Sequence, residues 1–294
     1  MNKKINFVRG LTFCLIFLLF FIGCAPKQET PKFYGLKFDF VTNAPPNQVS
    51  IGQKFPIIVN VENVGGYDVY PGRAVFYLRG IGTNLNDYSS RLENNVVLSK
   101  KDTIPGTQKL IFAQNAYSSL SLQNPLTIDM VLTSCYEYST ITEAEICVAK
   151  QSGVCKIEGN KITEKSNTVA PIKITSLTER VEGNKLKITF TIQNVGKGRV
   201  FIDNANCDGI IQNQPQEMIK ENYAKIQIND NGVGFQCKLL GPELASITGL
   251  NGYTQIGLVE CEKTLTDENF QSLMKIYLTY KYIEEVKKPL TIYP

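Results

Sequence analysis

The chain contains no histidine and no tryptophan. Without histidine there can be no Ser-His-Asp triad, no Cys-His dyad and no His-Glu-x-x-His metallopeptidase helix, so whole classes of enzyme are excluded. No Cys-x-x-Cys occurs either, and zinc sites rely on closely paired Cys or His ligands. No Asn-x-Ser/Thr sequon is found, so nothing points to N-glycan shielding. Long basic runs interleaved with aromatics are missing, which removes the electrostatic footprint of a nucleic-acid binder. The 31 basic residues include Lys3, Lys4 and Arg9 near the N-terminus; without those three, 28 basic residues face 27 acidic ones. The alkaline pI is therefore mostly a property of the first residues.

Those first residues are the most informative part of the chain. A basic head precedes the apolar run Leu11 to Ile22, which ends in Gly23-Cys24. This is the pattern of an export signal, so the remainder is expected to work outside the cytoplasm. As a helix, Leu11 to Gly23 would reach only about 20 Å against a hydrocarbon core of about 30 Å. Phe21-Ile22-Gly23-Cys24 resembles the lipobox of exported lipoproteins, with Phe21 where that pattern prefers leucine. The resemblance implies acylation of Cys24, which would become the mature N-terminus. An uncleaved anchor and plain secretion remain the other two readings. Residues 25–32 are polar and proline-bearing and read as a tether.

The roughly 270 residues after the signal suit two domains of ordinary size, and an internal repeat supports that count. Phe55 to Gly65 aligns with Leu186 to Gly196: in both, apolar side chains alternate and the segment ends in Asn-Val-Gly. Each reads as a half-buried strand and a turn, with Arg73 to Leu78 and Arg199 to Ile202 as the returning arms of hairpins. Further strands are expected at 33–41, 109–113, 126–138, 143–149, 172–181, 223–228, 233–240, 255–261 and 273–282. Asp230-Asn231-Gly232 is a hairpin signal, and only Thr266 to Met274 offers a short helix. The expected fold is all-β: an N-terminal apolar signal or anchor helix (1–24), the tether (25–32) and two tandem immunoglobulin-like antiparallel β-sandwiches. Their bounds are 33–158 and 171–294, separated by a polar linker at 159–170.

Paired strands ending in Asn-Val-Gly resemble the CARDB-type immunoglobulin-like modules of bacterial and archaeal surface proteins. Phe38-Asp39-Phe40 with Asn43-Ala44-Pro45-Pro46, Cys135-Tyr136-Glu137-Tyr138 with Cys147, and Val259-Glu260-Cys261 with Tyr277-Leu278-Thr279-Tyr280 resemble a group of exported two-domain proteins of small-genome archaea. The resemblance implies an architecture and, in general terms, adhesive, spacing or scaffolding roles without a common chemical site.

Beyond Cys14 in the signal and Cys24, six cysteines remain: Cys135, Cys147, Cys155, Cys207, Cys237 and Cys261. An even number in an oxidising compartment indicates disulfides. Cys147 and Cys155 flank a turn-prone stretch, and Cys237 and Cys261 sit on separate strands. Cys135 and Cys207 are left to meet across the domain junction or to stay free. In the loop 203–209, Asn204, Asn206 and Asp208 have a spacing that calcium ions use, although plain turn chemistry explains the same residues. Glu143 with Glu145 and Glu284 with Glu285 are the nearest approach to a catalytic carboxylate pair, and they read as solvated faces, as does Lys287-Lys288. Tyr136, Tyr138, Tyr277, Tyr280 and Tyr282 fall on strands, with Leu278, Tyr280 and Tyr282 on one face as core.

These observations lead to a non-enzymatic extracytoplasmic protein held at the membrane through its N-terminus, serving as an adhesion, scaffold or protein-interaction module. The expected partner is an envelope or cell-surface protein or a glycan; no cofactor and no nucleic acid is implied. The alternatives are a solute- or ion-binding protein using an inter-domain cleft, and a self-assembling envelope subunit.

Overall fold

A computed structural model of the chain describes residues 35–82, 85, 88–101, 104–117, 120–148, 159–231, 234–238, 251–265 and 270–294. The export signal, Cys24 and the tether lie outside the described residues, as does Cys155. Phe33–Pro294 form one compact unit.

The described residues are mostly β-strand. Its first half contributes β1 (Leu36–Phe40), β2 (Gln48–Ser50), β3 (Phe55–Asn63), β4 (Ala74–Arg79), β5 (Arg91–Glu93), β6 (Thr107–Asn115) and β7 (Leu126–Val148). The second half contributes β8 (Ile172–Glu182), β9 (Lys185–Asn194), β10 (Arg199–Ile202), β11 (Tyr223–Asn229), β12 (Gln236–Lys238), β13 (Asn251–Gln255), β14 (Leu258–Thr264) and β15 (Phe270–Tyr293). Two short helices, α1 (Cys207–Ile211) and α2 (Pro215–Met218), follow β10. Among the described residues no helix is long and apolar enough to cross a membrane.

Among the described residues these strands form three sheets. One is β1-β3-β6, another is β12-β14-β9-β8, and the largest runs β13-β11-β15-β7-β4-β5, with β10 and β2 also paired to β15. Alternation dictates the layers: along β3 the even-numbered side chains look outward while Phe55, Ile57, Val59 and Val61 are buried, and β9 buries Leu186, Ile188, Phe190 and Ile192. Both small sheets pack these faces against the same side of the central sheet, where Leu132, Tyr136, Tyr138, Ile276, Leu278, Tyr280 and Tyr282 are fully buried. The result is an antiparallel sandwich in which one layer is continuous through both halves.

That continuity replaces several expectations. Where two strands were expected, at 126–138 and 143–149, Leu126–Val148 form one, because the polar stretch in the middle is tied into the sheet. Ser139 shares a hydrogen bond with Thr279, and Thr142 donates to Asn167. Residues 270–274, expected at the end of a helix, begin β15, whose pairing to β7 runs without a break from Phe270 to Ile292; residues 266–269 lie outside the described set. The Asn-Val-Gly segments are not hairpin turns. β3 and β4 belong to different sheets, as do β9 and β10, so each segment arches from one layer to the other. Likewise β11 and β12, on either side of Asp230-Asn231, pair in different sheets. The expected linker 159–170 is packed along the strands: Lys161 is buried with an ion pair to Glu179, and Asn160 and Asn167 hydrogen-bond the edge of β8. Polar composition here reflects edge satisfaction rather than a free tether.

Underlying all this is a pseudo-twofold axis. In the β7–β15 ladder Tyr136 faces Tyr282, Glu137 faces Lys281 and Tyr138 faces Tyr280. Rotation about the Glu137–Lys281 pair exchanges one Tyr-x-Tyr with the other. The hydrogen bonds obey the same operation. The Tyr136 hydroxyl accepts the Leu36 N–H at the start of β1, and the Tyr280 hydroxyl accepts the Ile172 N–H at the start of β8. The Tyr138 hydroxyl accepts the Tyr67 N–H and donates to Asn63, while the Tyr282 hydroxyl accepts the Gly198 N–H and donates to Asn194. Asn63 and Asn194 each accept an N–H two residues on, from Gly65 and Gly196, and donate four residues on, to the Tyr67 and Gly198 carbonyls. The rings themselves meet edge to face, with Tyr136–Tyr138, Tyr136–Tyr282 and Tyr280–Tyr282 centroids 5.8, 5.9 and 6.4 Å apart, contacts worth about 0.5–1.5 kcal/mol each beyond burial. Burial raises all four phenols above their ordinary range, so they stay protonated and remain donors.

Candidate interaction site

Two of the places where the halves depart from the symmetry lie on or beside the outer face of the central sheet. Glu137 and Lys281 face outward at the axis, because their neighbours Tyr136, Tyr138, Tyr280 and Tyr282 face inward. Beside them on one flank is the Tyr67–Arg73 loop of the first half. Between the Tyr hydroxyl contact and the residue paired with the first tyrosine of each Tyr-x-Tyr, the first half takes seven steps, Tyr67 to Ala74, where the second half takes four, Gly198 to Ile202. On the other flank is the helical lobe of the second half, built on α1 and α2.

The lobe is pinned from several sides. Cys207 is disulfide-bonded to Cys135 of β7, which fulfils the pairing across the two halves. Asn206 caps α1 by accepting the Gly209 N–H, and its own N–H donates to Glu217. Asp208 accepts hydrogen bonds from the Tyr77 hydroxyl at 2.7 Å and from Arg91 Nε at 3.1 Å. Beneath lies a second apolar cluster in which Val75, Tyr77, Phe201, Ile202, Ile210 and Ile283 pack around Cys135. Burial lowers the Lys281 ammonium, with Glu137 and Asp203 acting in the opposite sense, and its Nζ donates to the Ala205 carbonyl.

The loop is held differently. Tyr70-Pro71-Gly72-Arg73 closes with Arg73 N–H to Tyr70 C=O at 3.0 Å, and Gly72 has φ +75°. Proline second and a left-handed glycine third make a type II turn. A single buried side chain fastens it: Asn94 donates to the Tyr70 and Val96 carbonyls and accepts the Ala74 N–H. Asp68 accepts the Lys100 N–H, and Arg73 pairs with Glu137 at 3.0 Å. On this rigid corner Tyr70, Val96 and Val97 are exposed, at 54%, 43% and 42%. Tyr67, Asp68, Val69, Tyr70, Arg73 and Glu137 line a groove of about 250 Å³ beside it.

The remaining sequence candidates fall as follows. Cys237 and Cys261 are bonded across β12 and β14. Cys147 is also disulfide-bonded, and Cys155 lies outside the described residues. Of the calcium candidates, Asn206 and Asp208 are engaged in the helix cap and the Tyr77–Arg91 contacts, while Asn204 makes neither bond; among the described residues no group of three acidic or cysteine ligands comes together. Glu143 pairs with Lys275, Glu145 accepts from Gln271, and Glu285 pairs with Arg79. Glu284 points to the opposite face from Glu285, into the sandwich, where burial pushes its carboxyl up to about 7. Tyr280 and Tyr282 are core with Leu278. A second groove crosses the outer face of the β12-β14-β9-β8 sheet, lined by Arg180, Lys187, Lys238 and Glu260 among others. Its charges are partly consumed by the exposed pairs Lys187–Glu182 and Lys185–Glu262.

The Tyr70 corner was not a sequence candidate. Its signal was Pro71-Gly72 followed by a strand, but exposure of Tyr70 depends on Asn94, twenty-four residues away in sequence. Comparison with protein-family models and with curated proteins finds no match to this chain.

Proposed function

We propose that this protein is a non-enzymatic interaction module of the extracytoplasmic surface, tethered to the membrane through its N-terminal segment at Cys24. In this reading each half is a sandwich of immunoglobulin-like, CARDB-type character, and the pair is fused through the shared central sheet. The observation that carries the reading is the contrast between a symmetric, hydrogen-bonded framework and an asymmetric corner that exposes Tyr70, Val96 and Val97 on a locked turn. Single aliphatic side chains are exposed on framework strands too, as at Ile111, Val181 and Leu258, but a tyrosine and two valines grouped beside an arginine are what binding surfaces use. Rigidity also favours affinity, since little side-chain and loop entropy remains to be lost.

The test is co-sedimentation of the detergent-solubilised full chain with envelope preparations of the source cells. The wild type should bind saturably. Tyr70→Ala with Val96→Ser should weaken binding by about tenfold or more, the effect of losing a central contact. Equal binding by that variant would remove the corner from the reading.

A further inference from the structure

We infer that the groove between the Tyr70 turn and the Arg73–Glu137 pair binds an uncharged sugar ring of a glycan. The inference rests on the corner being the recognition surface and adds the chemistry of what it recognises. A pyranose presents one face of C–H groups and a belt of hydroxyls, each both donor and acceptor. The groove offers the complement to each. Tyrosine rings give a flat, electron-rich surface for C–H groups; Tyr70 is exposed there, and Tyr67 is braced from behind by Tyr138, with ring centroids 5.6 Å apart. Asp68 and Glu137 accept, and the Arg73 guanidinium donates in a planar fork that matches neighbouring hydroxyls.

Charge decides against the other ligand classes. Of the charged groups that line the groove, Arg73 and Glu137 neutralise each other, which leaves Asp68, whose carboxylate already takes the Lys100 N–H. A site selecting an acidic or basic ligand would carry a cluster of one sign. The polar groups are also fixed before any ligand arrives, by the Lys100 N–H on Asp68, by Glu137 on Arg73 and by Asn94 beneath the turn. The volume of about 250 Å³ suits one ring rather than a long oligomer buried whole. The second half, with its shorter connection after Gly198, has no equivalent turn.

Affinity electrophoresis of the detergent-solubilised full chain tests this in native gels cast with mannan, dextran or galactan, and with alginate as the acidic counterpart. Retardation is expected in at least one neutral gel. Tyr70→Ala should weaken it by about tenfold or more, Tyr70→Phe should retain it, and Lys238→Ala in the distant charged groove should leave it unchanged. Migration unaltered in all three neutral gels, retardation in alginate alone, or a Tyr70→Ala variant retarded like the wild type would each overturn the assignment. If envelope binding depends on Tyr70 while the neutral gels show nothing, the interaction surface stands and the sugar falls.

Discussion

The two halves of this molecule each use a pair of tyrosines for the same structural work, and differ in what is built around that shared frame. In each half a Tyr-x-Tyr on the long strand fastens the opening of one small-sheet strand and the arch after another. What the halves do not share is the Tyr67–Arg73 turn on one side and the α1–α2 lobe on the other. The duplicated frame thus supplies the shared hydrogen bonds, and the turn that departs from it is the surface proposed above for recognition. The ladder also explains why the halves behave as a unit: β7 and β15 pair along their whole length, so neither half has a central layer without the other.

The comparison breaks most sharply at the tyrosines. Tyr136→Ala and Tyr280→Ala each remove a fully buried ring and its hydroxyl contact, and each should cost about 3–5 kcal/mol in urea unfolding. Equivalent positions should give losses within about 1 kcal/mol of one another, measured as shifts of one cooperative transition. Two separate transitions, or a large loss at only one position, would show that the symmetry is geometric but not energetic.

How much of this could be read beforehand follows from the same residues. Period-two alternation in Phe55–Asn63 and Leu186–Asn194 gave both strands and the repeat. Alternation says which face is buried, but not which sheet a strand joins, so Asn-Val-Gly read as a hairpin when it is an arch. Ser139 to Thr142 looked like a break because hydroxyl side chains resemble turn chemistry; their partners Thr279 and Asn167 are distant in sequence. The Cys237–Cys261 bridge was legible because both residues sat on strands, whereas Cys135 and Cys207 were left to meet or to stay free, and the structure joins them. Tyr70 was invisible because nothing local distinguishes an exposed tyrosine from a core one; Tyr280 and Tyr282 had Leu278 to declare their face, and Tyr70 had only a turn.

The second way to sharpen the comparison is a position where the symmetry fails inside the core. Thr140 sits beside Tyr280 and donates to the Ile172 carbonyl; the twofold partner of Thr140 is Glu284, beside Tyr136. A neutral hydroxyl on one side is matched by a carboxyl on the other, and burial pushes that carboxyl up to about 7, with Lys197 and the Tyr136 hydroxyl pulling it back only in part. The folded state therefore holds its proton more tightly than the unfolded chain does. Its relative stabilisation is fully present below the ordinary glutamate range and is lost as pH rises to about 7, after which the penalty is constant. Glu284→Gln should leave stability unchanged near pH 4 and raise it by about 2–3 kcal/mol at pH 8. Urea midpoints of both proteins across that range check it, and a gain that is the same at both ends would assign the effect to packing rather than to the proton.

The smallest effect separates the lobe from the framework beneath it. Asn206 supplies the only side-chain cap of α1, and Asn206→Ala should cost about 1 kcal/mol. Because Cys135–Cys207 and the Asp208 contacts still hold the lobe, that loss should appear as local opening: the Gly209 amide, which donates to Asn206, should exchange about fivefold faster with solvent. Amides of β7 and β15 around the tyrosines should be unchanged in native-state exchange, and Asn204→Ala, which removes no cap, should alter neither. Faster exchange spreading from Gly209 into the tyrosine ladder would mean that the lobe is not an addition to a self-sufficient duplicated frame but part of what closes it, and the division between shared stability and local specificity would have to be redrawn at the Cys135–Cys207 bridge.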